Sequence, residues 1–177
     1  MRYFITFACY GGRLHGDESG SVDRSHNLPG SRLLEPDPHR ASWERQKMIQ
    51  APYSLDRDSR ATVLESLREV CLRRGWTLLA SHVRTNHVHT VVEAEDGPEK
   101  IMNDFKSYAS RGLNRLGPEG PDRKRWARHG STRWLWKDQD VRDAIRYVVE
   151  EQGEPMAVFI ADDFRQNAPE RPTEPRP

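Results

Sequence analysis

Two strand-like runs separated by only three residues constrain this chain more than any other feature. Trp76 to Val83 and His87 to Glu93 are rich in apolar and β-branched residues, and Arg84-Thr85-Asn86 leaves room for a tight turn alone. The two runs must lie side by side and antiparallel, so the chain builds a sheet around a hairpin. Helical periodicities on either side define what packs on it. From Asp56 to Arg74 the residues Val63, Leu64, Leu67, Val70 and Cys71 recur at helix spacing, and Gly75 is placed to stop that helix. After the hairpin, "GPEK" opens a helix from about Pro98 to Leu116, with Ile101, Met102, Phe105, Tyr108, Ala109 and Leu113 along its stripe. A first strand covers Tyr3 to Tyr10 and is halted by Gly11 and Gly12, and a short one runs through Thr132 to Trp136. The last clear helix spans roughly Asp138 to Gln152, with Val141, Ala144, Ile145 and Val148 inward and Gly153 as its stop.

Strand, helix, strand, strand, helix, strand is the split βαβ order of ferredoxin-like sheets. The expected fold class is therefore α+β: an antiparallel sheet with helices on one face and the other face free to work. The length of 177 residues suits one core and not two. We expect a single domain over residues 1–160, interrupted by a polar excursion at about 13–52 that "GDESGS", "NLPGS" and "EPDPH" break into turns, with Trp43 to Ile49 partly structured. Residues 161–177 form a Pro-rich charged tail expected to be disordered.

No apolar run approaches the eighteen or so residues that a membrane span needs, and "MRYFITFACYGG" lacks the layout of a secretory signal. A soluble protein that stays inside the cell, in the cytoplasm and with no membrane partner, is expected. Cys9 and Cys71 sit in apolar surroundings outside any CxxC pattern and read as small buried hydrophobes. The net charge is +1, from 28 Lys and Arg against 27 Asp and Glu, but it is unevenly spread. Between Lys100 and Lys137, ten basic residues face three acids, a surplus of about seven. Trp126, Trp134 and Trp136 are threaded through that block. Arginines neutralise phosphates and indole faces accept any base, which suits single-stranded nucleic acid; a solvated basic loop whose tryptophans face the core fits the same pattern.

The hairpin also carries the chemistry. In a strand, residues i and i+2 share a face, so His87 and His89 project together while Val88, Thr90 and Val92 face the helices. Paired imidazoles suit Mn, Zn, Fe or Ni, and a divalent ion held there would polarise a phosphoryl group. Two ligands do not complete a site. On the last helix Tyr147 and Glu151 stand at i, i+4, a spacing that puts a nucleophile and a carboxylate ligand on one flank, whereas Gln152 falls near the centre of the apolar stripe. Packing of Tyr147 at the helix edge is the competing reading.

"NHVHTVVEA", "FKSYASRGLNR", "RWLWKD" and "AIRYVVEEQGEP", in this order, resemble the single-tyrosine HUH transposases of the IS200 type, especially the REP-associated tyrosine transposase branch. The resemblance covers roughly Leu55 to Met156. It implies a ferredoxin-like or RRM-like domain that acts on single-stranded DNA folded into hairpins, with Mg²⁺ or Mn²⁺ on His87 and His89. It further implies that Tyr147 attacks the scissile phosphate to form a 5′-phosphotyrosine link and free a 3′-hydroxyl. Tyr108 competes for that role, although its place in an apolar stripe speaks for the core. The family commonly has Gln or Asn four residues after the nucleophile, where this chain has Glu151, so either Glu151 or Gln152 is expected to complete the metal shell. Lys106, Arg111, Arg115, Arg125, Arg128 and Arg133 are the expected DNA contacts, and the active unit is a monomer or a homodimer. The alternative is a non-catalytic, domesticated nucleic-acid-binding protein on the same fold.

Overall fold

The computed structural model describes residues 1–12, 37–117 and 119–165. Most of the polar excursion and the end of the tail therefore lie outside the described residues. The elements run β1 (Arg2–Cys9), α1 (Pro38–Gln46), α2 (Arg57–Arg74), β2 (Thr77–Val83), β3 (His87–Glu93), α3 (Pro98–Leu116), β4 (Trp126–Trp134), α4 (Asp138–Glu150), β5 (Ala157–Ile160) and α5 (Asp162–Arg165). No helix among the described residues is long and apolar enough to cross a membrane.

The five strands form one antiparallel sheet in the order β4-β1-β3-β2-β5. The first four strands in space reproduce the ferredoxin-like arrangement, with β5 added beside β2. Two strands differ from the sequence reading. β4 begins at Trp126, six residues earlier than expected, because pairing with β1 recruits the polar stretch "ARHGS" that carries no alternation of its own. β5 was not expected at all: "AVFI" is four residues long and becomes a strand only by pairing with β2.

Strand alternation divides the sheet into two faces. Tyr3, Ile5, Phe7 and Cys9 of β1 and Val88 and Val92 of β3 point toward α2 and α3, where they meet Val63, Leu67, Val70, Ile101, Phe105 and Ala109 in the main core. Asp56 caps α2 by accepting the Ser59 N–H at 2.8 Å, and Gly75 ends it at φ 70°, a left-handed turn that favours glycine. A Cβ at Gly112 of α3 would lie 2.5 Å from Ser66 Oγ of α2, so glycine lets the two helices approach this closely.

The opposite face is only partly covered. α4 crosses it, burying Val141, Ala144, Ile145 and Val148 on Leu79, Ala80, Val91 and Leu135. Each of the larger aliphatic side chains contributes about 1.5–3 kcal/mol on burial. The two large helices thus occupy one face, and the last helix carries its outer flank to the face on which the histidines stand. Cys9 and Cys71 are buried free thiols, and burial pushes both up to about 12.

Candidate active site

Phe4 and Thr6 of β1 lie on the same face as His87 and His89 of β3, and register places Thr6 opposite His89. The two imidazoles pack edge to face with ring centroids 4.7 Å apart. His87 Nδ1 bonds Asn86 Oδ1 at 2.7 Å, and His89 Nδ1 shares a 2.7 Å hydrogen bond with the Thr6 hydroxyl. Because an amide oxygen only accepts, His87 carries its proton on Nδ1 in that bond, which leaves Nε2 as the nitrogen with a lone pair for a metal. Asn86 and Thr6 therefore orient the two rings, and a proton on His89 Nδ1 does the same for its Nε2. His89 is 3% exposed and stacks on Phe4 at 5.7 Å.

Tyr147 reaches this face from α4. Its ring lies 5.7 Å from His89 and 5.8 Å from Phe4, both edge-on, and it is 40% exposed. The ring thus has one side against His89 and Phe4 and is otherwise open to solvent. A cleft of about 400 Å³ opens beside it, lined by Phe4, Arg133, Asp143, Arg146, Tyr147 and Glu151 among others. Arg133 lies over the Phe4 ring at 5.7 Å. Arg146 donates to Asp143 at 2.9 Å and to Glu151 at 3.4 Å, so its guanidinium and both carboxylates already share charge at the rim.

Glu151 and Gln152 are less simply placed. Helix α4 ends at Glu150, not at Gln152, and Glu151 is its cap, with its N–H on the Tyr147 carbonyl. Its carboxylate turns to Arg146, and the Gln152 amide donates to the Tyr147 carbonyl at 3.3 Å. Among the described residues no three His, Cys, Asp or Glu side chains gather closely enough to hold a metal ion. The structure therefore brings Tyr147 against His89, beside His87, and turns Glu151, an expected ligand, to Arg146.

The expected DNA contacts separate by face. Arg133 is at the cleft, and Arg128 is exposed on β4. Arg111 and Arg115 are exposed on α3, on the far side of the sheet from Tyr147, with Arg111 over the Tyr108 ring at 4.2 Å. One of these expectations needs correction. Arg125 is 3% exposed, and its guanidinium donates to the carbonyls of Arg123 and Glu119 and lies 5.7 Å from the Tyr53 ring. It holds the approach to β4 together and is not presented to a phosphate. Lys106 is half-buried, donating to the carbonyls of Ala127, Arg128 and His129, and burial pushes it down to about 8.

Three participants were missed in the sequence. Phe4 and Thr6 were within reach, since pairing β1 beside β3 would have put them on the histidine face. His82 was not. It is fully buried opposite His89 in the β2–β3 register; Nδ1–H donates to the Val148 carbonyl of α4 at 3.0 Å, and Nε2 accepts the Met156 N–H at 3.2 Å. Burial holds it below the usual histidine range, the Arg84 charge adds to this, and the Val148 bond opposes it. A neutral His82 thus ties the end of α4, one residue from Tyr147, to the sheet.

A family model described as transposase, IS200-like, matches residues 45–149, more than half of the chain. The chain belongs to the IS200-like transposase family. No curated protein matches this transposase-family chain. Among solved structures, a REP-associated tyrosine transposase bound to a REP hairpin aligns at 11% identity and a TM-score of 0.46, covering 85% of this chain and 65% of that one. This chain accordingly spans a little under two thirds of that relative's length. A provisionally assigned transposase from Deinococcus radiodurans R1 aligns at 14% identity and a TM-score of 0.44, over 86% and 90% of the two chains.

Proposed function

We propose that this IS200-like transposase is a metal-dependent single-stranded DNA endonuclease and strand transferase that acts at DNA hairpins, with Tyr147 as nucleophile. The observation that carries the reading is the convergence of Tyr147 with His87 and His89 on one sheet face, its ring 5.7 Å from His89. The donor set fits a divalent ion in part: two adjacent imidazoles whose Nδ1 atoms are engaged offer Nε2, and Mg²⁺ or Mn²⁺ would be held there with Glu151 or Gln152 and a phosphate oxygen of the DNA. Glu151 joins only by leaving Arg146. When bound, the ion supplies Lewis-acid polarisation of the scissile phosphate.

The chain's own residues do the rest. Tyr147 Oη forms a bond to phosphorus, the bond from phosphorus to the 3′-oxygen breaks, and the strand is left with a 5′-phosphotyrosine link and a free 3′-hydroxyl. The phenol proton leaves to solvent, toward which Tyr147 is open, and the departing 3′-oxygen takes one up. Arg133 and Arg146 face the same cleft and would hold the phosphate in line. Because the link conserves the energy of the phosphodiester, the 3′-hydroxyl of the same or another strand reverses the step with no nucleotide cofactor.

Covalent trapping tests this. A labelled hairpin oligonucleotide with single-stranded flanks, incubated with protein and Mn²⁺, should give a denaturant-stable adduct that peptide mapping assigns to Tyr147, absent from Tyr147→Phe and from His87→Ala. An adduct on another residue, or cleavage that survives in Tyr147→Phe, removes the proposed nucleophile. Hairpin binding with no metal-dependent cleavage would favour the non-catalytic alternative.

A further inference from the structure

The tryptophans in and just after β4 have no part in the chemistry above. Trp126 is tied into the fold, its Nε1 donating to Lys106 O and Ser110 Oγ and its ring edge-on to Phe7. Trp134 and Trp136 are different. Trp134 stands edge-on against Tyr3, with centroids 4.9 Å apart, and Trp136 lies flat on Trp134 at 5.1 Å and 10°. They are 38% and 69% exposed. Trp134 covers the core residue Tyr3, but Trp136 stacks outside it and leaves one broad, flat aromatic surface open.

Their surroundings say what would cover them. Arg133 and Lys137 flank the pair in sequence within the basic segment; of the nearby acids, Asp138 is paired with Arg2 at 2.6 Å, Asp140 accepts the Lys137 N–H at 3.1 Å, and Glu99 keeps its charge while accepting from the Thr132 hydroxyl at 3.4 Å. Arg133 is also the residue that lines the Tyr147 cleft, and Trp134 is its immediate neighbour on the edge strand of the sheet. Strand alternation sends Arg133 to the cleft face and Trp134 to the opposite one, against Tyr3. A polyanion that rounds this edge would meet cations with its phosphates and indoles with its bases.

We propose that Trp134 and Trp136 form a stacking platform for an unpaired base of single-stranded DNA that continues around β4 into the Tyr147 cleft. The proposal rests on DNA being the substrate. It adds the place where an unpaired flank of the hairpin is gripped, through a contact that tolerates any base because every base has a π-face. Loss of one stacked base at such a site corresponds to about a tenfold weakening of binding.

Fluorescence titration of the full chain at low salt supplies the test, with oligothymidylate as an unstructured probe and hairpins with and without single-stranded flanks beside it. Trp136→Ala should bind oligothymidylate and the flanked hairpin about tenfold more weakly, Trp136→Phe should recover most of the loss, and the blunt hairpin should bind all three proteins alike. Quenching of tryptophan emission by oligothymidylate should shrink in Trp136→Ala. Equal oligothymidylate affinity for wild type and Trp136→Ala overturns the platform, as does equal weakening on the blunt hairpin. Concentration-dependent self-association that Trp136→Ala abolishes while leaving DNA affinity intact would assign the surface to a second copy and overturn it too. A Tyr147 adduct with no effect of Trp136→Ala sinks the platform alone; a platform effect with no adduct sinks the nuclease reading alone.

Discussion

Replacing His82 with alanine probes what keeps Tyr147 in place. The ring is fully buried and spans two backbone groups, the Val148 carbonyl within α4 and the Met156 N–H beyond it. Alanine leaves both without that partner, at roughly 1–3 kcal/mol for a buried orphan, and adds a cavity. A total of about 3–4 kcal/mol is expected, since Met156 is open enough for water to replace its bond. For a domain of this size that lowers the melting temperature by about 10 °C. Leu67→Ala is the matched control: it removes a fully buried side chain from the opposite core at a similar cost of about 2–5 kcal/mol, but touches nothing near Tyr147. Thermal unfolding by circular dichroism and hairpin cleavage well below both transitions should separate them. His82→Ala should lose cleavage out of proportion to its stability, while Leu67→Ala keeps it. If His82→Ala melts with the wild type, or cuts as well as Leu67→Ala, the tie between His82 and the position of Tyr147 is refuted.

Tyr147→Phe keeps the ring against Phe4 and His89, so its unfolding free energy should stay within about 0.5 kcal/mol of wild type while adduct formation disappears. Arg125→Ala should lower the melting temperature and leave the salt dependence of DNA binding as it was, whereas Arg133→Ala should leave melting unchanged and reduce the slope of log K against log salt by about 0.7–0.9. The opposite pattern would return Arg125 to the interface. Lys106 gives a pH signature: burial lowers it to about 8 in the folded chain, against an ordinary 10.5. Below pH 8 it is charged folded and unfolded, and the burial cost is carried in full; from pH 8 to about 10.5 only the unfolded chain keeps the proton, so stability rises across that window. Denaturant unfolding of wild type and Lys106→Met at pH 7 and pH 10 should show wild type gaining relative to the variant.

Legibility followed the range of the interactions involved. α2, α3 and α4 were visible because each carries its own stripe and its own stop, Gly75 at φ 70° being the plainest case. The hairpin, with His87 and His89 on one face, was visible because strand alternation is local. β5 and the first half of β4 were not, because neither has a pattern apart from its partner. The basic residues misled for a related reason. Arg125 and Lys106 read as cations offered to solvent, but Arg125 is buried beside the sequence-distant Tyr53 and Lys106 is drawn to the Ala127 carbonyl, partners that the tertiary fold brings to them.

The order and periodicity of the elements therefore determined the ferredoxin-like sheet, the paired imidazoles and the helix that bears the phenol, since each is set by neighbours a few residues apart. Only the tertiary structure decided which face α4 would cross, that His82 would fasten it there, and that Glu151 would turn to Arg146 and away from the histidines. Those outcomes depend on packing and hydrogen bonds between groups about fifty or more residues apart or on competition between nearby charges, and a local pattern encodes neither.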